Sequence, residues 1–584
     1  MLSKQWVIKP PSPPGHLKQY QPYNISPELA QVLINRGFDS PERARDFLRA
    51  AALSGGRYLS IKGKNRPIDR AVSRLVAAVK GGEKIVVYGD FDADGVTSTV
   101  LLVQALRALG ADVEPYIPNR IDEGYGLNNE ALETLAKDGI RVVITVDCGI
   151  RSIEEVEFGK SQGLDIIVTD HHSIGPELPM AHAVINPKDE NWNYAEDMLA
   201  GVGVAYRVAE ALVMVAGHDR KLREKRRPLN LESLLDLVAI GTVADLAPLN
   251  REENRALVRR GLEVINQKPR PGIKALLEVA GVKPGSVTAM TIGYAIGPRI
   301  NAAGRLDSAM IAYNLLAAQD EAEAKQWAEQ LQELNVKRQT LTREAQEKIR
   351  ATIEAETAHN LPLIFAGDAG FQPGIVGLVA GRLVEEYFRP AVVMELGETE
   401  SRASCRSIPQ FDITQALDQC ADMLVRHGGH AQAAGFTVLN GNIDSLKKRL
   451  MALAESGLEG QELRPMLEID VDVPLDRLSE DLVTELQQLE PTGHMNPVPV
   501  LMSRRLRVVE ARTVGKDSGH LKLKVTDEHR QGRVIDAIGF GLGEWAGSIP
   551  GLIDAAYQLE INVWNGSRSL QLNLQDIRPA ERPE

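Results

Sequence analysis

The stretch Lys84–Gly95, KIVVYGDFDADG, decides how this chain reads. Its first half, Ile85–Tyr88, is the apolar, β-branched run of a strand buried on both faces. Its second half sets aspartates at alternate positions, Asp90, Asp92 and Asp94. Carboxylates this close repel and raise one another's pKa, so a cation is expected among them. The pattern D-x-D-x-D-G also opens an EF-hand loop, which requires a glutamate at its twelfth position and a helix before it. Here the twelfth position is Leu101, and a strand-like run precedes.

Three more apolar runs end in the same kinds of residue. VVITVDCGI carries Asp147, IIVTDHH carries Asp170, His171 and His172, and VAIGTVAD carries Asp245. With Val113–Ile117, Ala183–Ile185 and Leu237–Val243 also read as strands, they alternate with helical stretches such as Val96–Leu109 and Glu130–Lys137. That alternation predicts an α/β fold with a parallel sheet and helices on both faces. In such a sheet the carboxyl ends of the strands form the ligand crevice. Taken singly, Asp147 reads as a turn residue, and DHH as a helix cap followed by two surface histidines. Four such segments at one sheet edge point instead to a metal site.

Carboxylate oxygens with one or two imidazoles and no thiolate suit Mn²⁺ or Mg²⁺ rather than structural zinc. Five or six ligands exceed the needs of one ion with open positions. Two ions bridged by a carboxylate would neutralise the aspartates, activate a water and stabilise both oxygens of an in-line phosphoryl displacement. The predicted chemistry is phosphoester hydrolysis.

The three cysteines, Cys148, Cys405 and Cys420, form no C-x-x-C pair, which argues against disulfides and thiolate zinc and leads to the expectation of a reducing cytoplasm. No apolar run approaches the ~18–20 residues that cross a bilayer, and the start, MLSKQWVIKPPSPPG, lacks a signal-peptide core. The net charge of −12 is adverse for a nucleic-acid binder. It is uneven, however: from Pro497 onward there are 12 Lys and Arg against 11 Asp and Glu, and the aspartate clusters carry part of the remaining excess.

Five regions are expected. Residues 1–60 form an N-terminal helical arm with a Pro-rich, flexible or strap-like start, in which Ser26 and Ser40 each precede Pro and Glu as helix caps. Residues 61–310 hold the parallel sheet. Residues 311–360 form a long connecting helix; residues 320–358 lack Gly and Pro, with Ala324, Trp327, Leu331, Leu334, Leu341 and Ala345 at helical spacing. A smaller α/β region covers 361–460. The tail, 461–584, contains HLKLKV, VIDAIGF, YQLEINVW and SLQLNLQDI, which fit an OB-type barrel or a sandwich fragment.

In this order, DFDADG, VDCGI, TDHH and GTVAD resemble the motifs of the DHH phosphoesterase superfamily. PNRIDEGYGL, GPRINAAGR, CRSI, GGHAQAAGF and LEPTGHMNPVPVL narrow the resemblance to its single-strand-specific 5′→3′ exonucleases, over about residues 60 to 580. The resemblance implies a DHH domain, a linking helix, a DHHA1 domain and an OB-like domain around a central channel. It also implies that Asp92, Asp94, Asp147, His171 and Asp245 hold manganese with help from Asp90, that His172 contacts the scissile phosphate, and that Asp170 orients a histidine from behind. Single-stranded DNA is the implied partner, with a single-strand-binding protein or a helicase beside it, in DNA recombination and repair. Phe371-Gln372 depart from the family's Trp-His or similar pair, and Thr492 and Met495 stand where Phe and Gly are expected.

For substrate, Arg120 follows a strand in a Gly-rich turn, where a guanidinium beside a metal pair would clamp phosphate bidentately. Arg299 and Arg305 flank INAAG, which contains Asn301, and serve phosphate contact or structural pairing. Ser404, Arg406 and Ser407 offer donors to a terminal 5′-phosphate. Gly429 and His430 lie in RHGGHAQAAGF, where a backbone can approach a phosphate or a helix can pack tightly. In the tail, Arg504, Arg505, Arg507, Lys522 and Lys524 with Trp545, Tyr557 and Trp564 suit single-strand binding, unless the aromatics are core. A non-enzymatic DNA-binding or replication scaffold would have no need to keep repelling aspartates. A phosphodiesterase for short oligonucleotides or cyclic dinucleotides would have no need of the tail. The expected activity is therefore that of a metal-dependent exodeoxyribonuclease.

Overall fold

The computed structural model describes residues 4–50, 66–120, 122–190, 192, 194, 198–225, 227–355, 361–528, 533–564 and 566–580. The boundary expected at residue 60, the end of the connecting segment at 360, Ile121 and the side chain of Trp564 lie outside the described residues. The chain forms two compact units: Ala52–Gln461 with Gly493–Met495, and Met1–Ala51 with Glu462–Thr492 and Asn496–Glu584.

The larger unit opens on a five-stranded parallel sheet ordered Asp112–Tyr116, Lys84–Gly89, Ile140–Val146, Asp165–Thr169, Ala183–Ile185. Its inner runs, Ile85–Tyr88, Val142–Val146 and Ile166–Thr169, are buried, as strands covered by helices on both faces must be. The chain leaves Lys84–Gly89 toward one edge and returns to the other side as Ile140–Val146, so the order reverses between these two strands. Ligand crevices open at the carboxyl ends beside such a reversal.

One expected strand is a helix. Leu237–Val243 lies inside the helix Leu235–Ala244, packed against the helices Ala93–Ala108, Gly201–His218 and Glu252–Gln267. Every residue from Leu235 to Val243 is buried. A helix buried all round has no polar face, so its sequence is a continuous apolar run like that of a central strand.

The long helix runs from Glu321 to Ala355, after a separate helix, Met310–Ala317. It leads to a mixed sheet ordered Leu424–His430, Ala433–Leu439, Glu400–Arg406, Ala391–Glu395, Ile364–Asp368, in which only the last pair is parallel. The segment RHGGHAQAAGF is thus a β-hairpin, not a tightly packed helix. Gly429 has φ +147°, and a Cβ there would lie 2.4 Å from the Ala433 carbonyl, so only glycine fits.

In the smaller unit the tail closes into a five-stranded barrel, which excludes the sandwich alternative. Leu501–Val514 pairs with both His520–Thr526 and Leu552–Trp564, and Ile535–Gly539 and Ser567–Pro579 complete the ring. The helices Pro27–Asn35 and Pro41–Arg49, capped by Ser26 and Ser40, share one core with it: Tyr20, Leu29, Leu33 and Phe47 cluster with Leu501, Leu521 and Ile553. The Pro-rich start follows the strand Gln5–Ile8, which pairs with Met466–Ile469. Met495, in the larger unit, has φ +59°, a conformation that explains the glycine expected there. Thr492 is buried and donates to Glu490.

Candidate active site

Asp90 follows the strand Lys84–Gly89, and Asp92 caps the helix Ala93–Ala108, accepting from the N–H groups of Asp94 and Gly95 at 2.8 and 3.1 Å. Asp94, one turn in, is buried and accepts from the N–H groups of Gly201 and Val202 at 2.7 and 2.8 Å. Those donors are first-turn amides of a helix, which lack partners within the helix and favour a carboxylate. Asp147 ends the neighbouring strand with φ +62°, a left-handed turn that a non-glycine residue adopts only when its surroundings hold it. Gly201 makes this possible, since a Cβ there would lie 2.7 Å from the Cβ of Asp147.

From the third strand end, Asp170 accepts at Oδ1 from the His171 and His172 N–H groups at 2.7 and 3.0 Å and pairs with His172 Nδ1 at 2.8 Å. Its Oδ2 accepts from the Ile150 N–H at 2.9 Å. Asp245 arrives from the end of the helix Leu235–Ala244, not from a strand, yet its Oδ2 lies 3.7 Å from His171 Nε2. That same Nε2 is 3.1 Å from Asp147 Oδ1 and 3.9 Å from Asp94 Oδ2. All eight acids and histidines named from sequence meet here.

Burial, reinforced by the Asp92 charge, raises Asp90 well above the usual carboxylate range and Asp94 to about 7. Burial and then Asp94 push Asp147 far up and Asp245 to about 9. His171 is driven down to about 3, first by burial and then by His172. For the Asp170–His172 pair burial opposes charge, but their hydrogen bond and mutual attraction outweigh it, lowering Asp170 and raising His172. Asp90 Oδ1, Asp147 Oδ1 and His171 Nε2 are buried without a hydrogen-bond partner among the described residues. Three ligand groups have donor atoms within 4.8 Å of one another: Asp90–Asp92–Asp147, Asp94–His171–Asp245 and Asp147–His171–His172. Orphaned buried donors in an oxygen-rich set with imidazole fit a divalent cation.

Beside the acids lie arginines. The Arg120 guanidinium sits over the Phe91 ring, 4.9 Å from its centroid, and feels Asp90 and Asp92. Arg305 is pushed down to about 10 by burial, then by Arg120, Arg338 and Arg406. Arg406 donates to the Ser404 hydroxyl at 3.2 Å and to the Cys405 carbonyl at 2.8 Å. None of Arg120, Arg305, Arg338 and Arg406 has a carboxylate within 4 Å among the described residues. Clustered guanidinium groups without counter-ions make a site for anions. Arg338, on the long helix, was not singled out from sequence, because one arginine on a charged helix carries no periodic signal.

Other candidates are held by protein partners. Arg299 donates to Gln332 and to the Ala295 carbonyl. Asn301 accepts from the Ala93 N–H at 2.7 Å, tying its helix to the aspartate loop. Ser407 donates to the Phe411 carbonyl at 2.6 Å. Phe371 is buried and Gln372 caps the helix Pro373–Tyr387. His430 is exposed and lines a cavity of about 480 Å³ with Tyr125, Asp170 and His172. On the barrel, Arg504, Arg505, Lys522 and Lys524 each pair with a carboxylate. Arg507 donates to the Glu528 carbonyl, Trp545 packs against the core and Tyr557 is fully buried. Among the described side chains of the barrel, Phe540 is an exposed aromatic, 62% accessible, beside His520. In the sequence it is simply the last residue of a strand-like run, VIDAIGF, with nothing to mark its exposure.

A parallel sheet with carboxylates and a histidine pair at its carboxyl edge is the architecture of a metal-dependent phosphoesterase. The DHH family N-terminal domain matches residues 84–242, the DHHA1 domain residues 360–456 and the RecJ OB domain residues 469–576. The single-stranded-DNA-specific exonuclease RecJ of Bacillus subtilis is 35% identical over 99% of this chain and 71% of its own length. That of Salmonella typhimurium is 36% identical over 96% and 97%. The crystal structure of Thermus thermophilus RecJ in complex with Mn²⁺ superposes with a TM-score of 0.83 at 30% identity, covering 99% of this chain and 80% of that one. The chain belongs to the RecJ family.

Proposed function

We propose that this protein is a single-strand-specific 5′→3′ exodeoxyribonuclease that hydrolyses phosphodiester bonds with two divalent cations, Mn²⁺ or Mg²⁺. The observation that carries the reading is the cluster of orphaned carboxylate and imidazole atoms lying in one unit with guanidinium groups that lack counter-ions. Asp90, Asp92, Asp94, Asp147, His171 and Asp245 would hold the cations, and Asp147 and His171 each belong to two of the ligand groups. When bound, the cations supply positive charge at the phosphate and a water of lowered pKa.

The chain's own groups do the rest. Asp170 holds His172 by its Nδ1 and keeps it protonated to higher pH, directing its other nitrogen toward the scissile phosphate. Arg120 and Arg305 bind the strand's phosphates, and Ser404 with Arg406 holds the 5′-phosphate, setting cleavage one nucleotide from that end. Gly429 brings backbone, and His430 a side chain, to the substrate side of the cavity. The barrel binds the incoming strand. The protein would act in the cytoplasm in recombination and repair, with a single-strand-binding protein or a helicase delivering its substrate; no helix among the described residues is long and apolar enough to cross a membrane. Manganese-dependent digestion of oligonucleotides labelled at either end, single- and double-stranded, tests the proposal. Preferential loss of the 3′ label, or equal digestion of duplex, would overturn it.

A further inference from the structure

The turn after the strand Ala183–Ile185, Asn186-Pro187-Lys188, forms no ion pair or hydrogen bond with the site's carboxylates or arginines among the described residues, yet it grips the histidine pair from behind. The amide of fully buried Asn186 donates from Nδ2 to the His172 carbonyl at 3.0 Å. Its Oδ1 accepts from the Lys188 N–H at 2.9 Å, which closes the turn. The Lys188 ammonium then donates to the His171 carbonyl at 2.6 Å. Two consecutive peptide carbonyls are thus held by two side chains of one turn, while the Ile185 carbonyl accepts from the Asp170 N–H at 3.0 Å.

An ammonium beside a cation site needs a reason. Lys188 makes no ion pair with a carboxylate among the described residues, and its charge reaches Asp245 only from a distance. By charge alone it would oppose a metal ion. A hydrogen bond to the His171 carbonyl fixes the peptide that carries the imidazole and hence the direction of Nε2, which must meet Asp94, Asp147 and Asp245 at one point. Groups that orient metal ligands from outside govern affinity through geometry.

We propose that Asn186 and Lys188 are positioning residues: Lys188 sets His171 for metal binding, and Asn186 sets His172 for the scissile phosphate. The assignment rests on the metal reading above. It separates two effects that a merely structural turn would mix, namely metal affinity and turnover with metal bound.

The experiment is a titration of the full-length protein with Mn²⁺, following free Mn²⁺ by electron paramagnetic resonance, with turnover measured separately at saturating Mn²⁺. Lys188→Met is expected to weaken Mn²⁺ binding about ten- to a hundredfold, with turnover at saturation restored to near the wild-type value. Lys188→Arg, which keeps donors and charge, should bind within about threefold of wild type. Asn186→Ala should lose about tenfold or more in turnover while keeping Mn²⁺ affinity; should that buried change prevent folding, the Lys188 pair decides alone. Unchanged or tighter binding by Lys188→Met would mean that charge, not orientation, governs the site and would overturn the proposal. Equal weakening in Lys188→Arg would overturn it too. Failure of the wild-type protein to bind Mn²⁺ would instead remove the metal reading on which it rests.

Discussion

Nε2 of His171 lies 3.1 Å from Oδ1 of Asp147, and both atoms are buried with no hydrogen-bond partner among the described residues. Two groups that approach each other without bonding mark where a third atom belongs. Asp147→Asn keeps the shape and removes the charge. The metal-free variant should melt no lower than wild type, because a carboxyl whose ionisation is opposed by burial and by Asp94 gives way to a neutral amide. It should lose hydrolysis and also the Mn²⁺-induced stabilisation, which for a site at a hundred times Kd amounts to about 2.7 kcal/mol. Thermal melts with and without Mn²⁺ check both, and a variant stabilised by Mn²⁺ as much as wild type would sink the metal-binding role of Asp147.

The raised carboxylates set a pH dependence. Asp94, at about 7, and Asp245, at about 9, keep protons in the folded, metal-free protein that the unfolded chain has released. Folded protein therefore binds more protons, and stability falls as pH rises through those values. His171, at about 3, acts oppositely, but only below its unfolded value near 6.5. Raised His172 works in the same direction as the acids above that value. The clean window is thus pH 7 to 9, where each retained proton contributes about 1.4 kcal/mol of loss per pH unit. Denaturation in EDTA should show this slope, and saturating Mn²⁺ should flatten it.

Arg406 is expected to read the strand's end. Its guanidinium is tethered to Ser404 and has no carboxylate within 4 Å among the described residues. Arg406→Ala should lower kcat/KM about ten- to a hundredfold on a 5′-phosphorylated strand, the equivalent of one lost charged contact of ~1.5–3 kcal/mol. On a 5′-hydroxyl strand the loss should be much smaller. The two enzymes and two substrates form a cycle with one coupling energy; equal losses would make Arg406 structural.

Phe540, exposed on the barrel, should stack on a base. Its replacement by Ala should weaken binding of a single-stranded oligonucleotide by ~1–3 kcal/mol with no change in melting temperature. Fluorescence anisotropy under conditions without turnover would show it. Unaltered affinity would move the barrel's contact surface elsewhere. A cruder test, deletion from Pro497 onward, would strip the shared core from Leu29, Leu33 and Phe47 and is expected to misfold the N-terminal helices.

The sheet and its acids were legible because a central strand reads as an unbroken apolar run and because strand ends collect ligands. The helical nature of Leu235–Ala244 was not, since burial on all sides erases the periodicity that distinguishes helix from strand. Asp245 was still placed correctly at the site, because both readings end the element at the same residue. Asn186 and Lys188 carried no local signal, since the carbonyls they hold, of His172 and His171, belong to another segment; Asn301, named for the substrate, instead ties its helix to the aspartate loop. The pairing of buried Tyr557 with Ser503 likewise follows from barrel closure, which alternation along single strands does not reveal.

The strand Gln5–Ile8 pairs with Met466–Ile469, and the Trp6 indole donates to Asp576 at 2.8 Å, across 570 positions of chain. A ribosome releases these partners far apart in time. At ~5–20 residues per second, the N-terminal helices emerge tens of seconds before the barrel that completes their core. The catalytic unit, encoded almost wholly in between, can fold first. The nascent protein therefore passes through a stage with every segment of its acid cluster already made while Leu29, Leu33 and Phe47 still await cover, a stage at which chaperone protection matters.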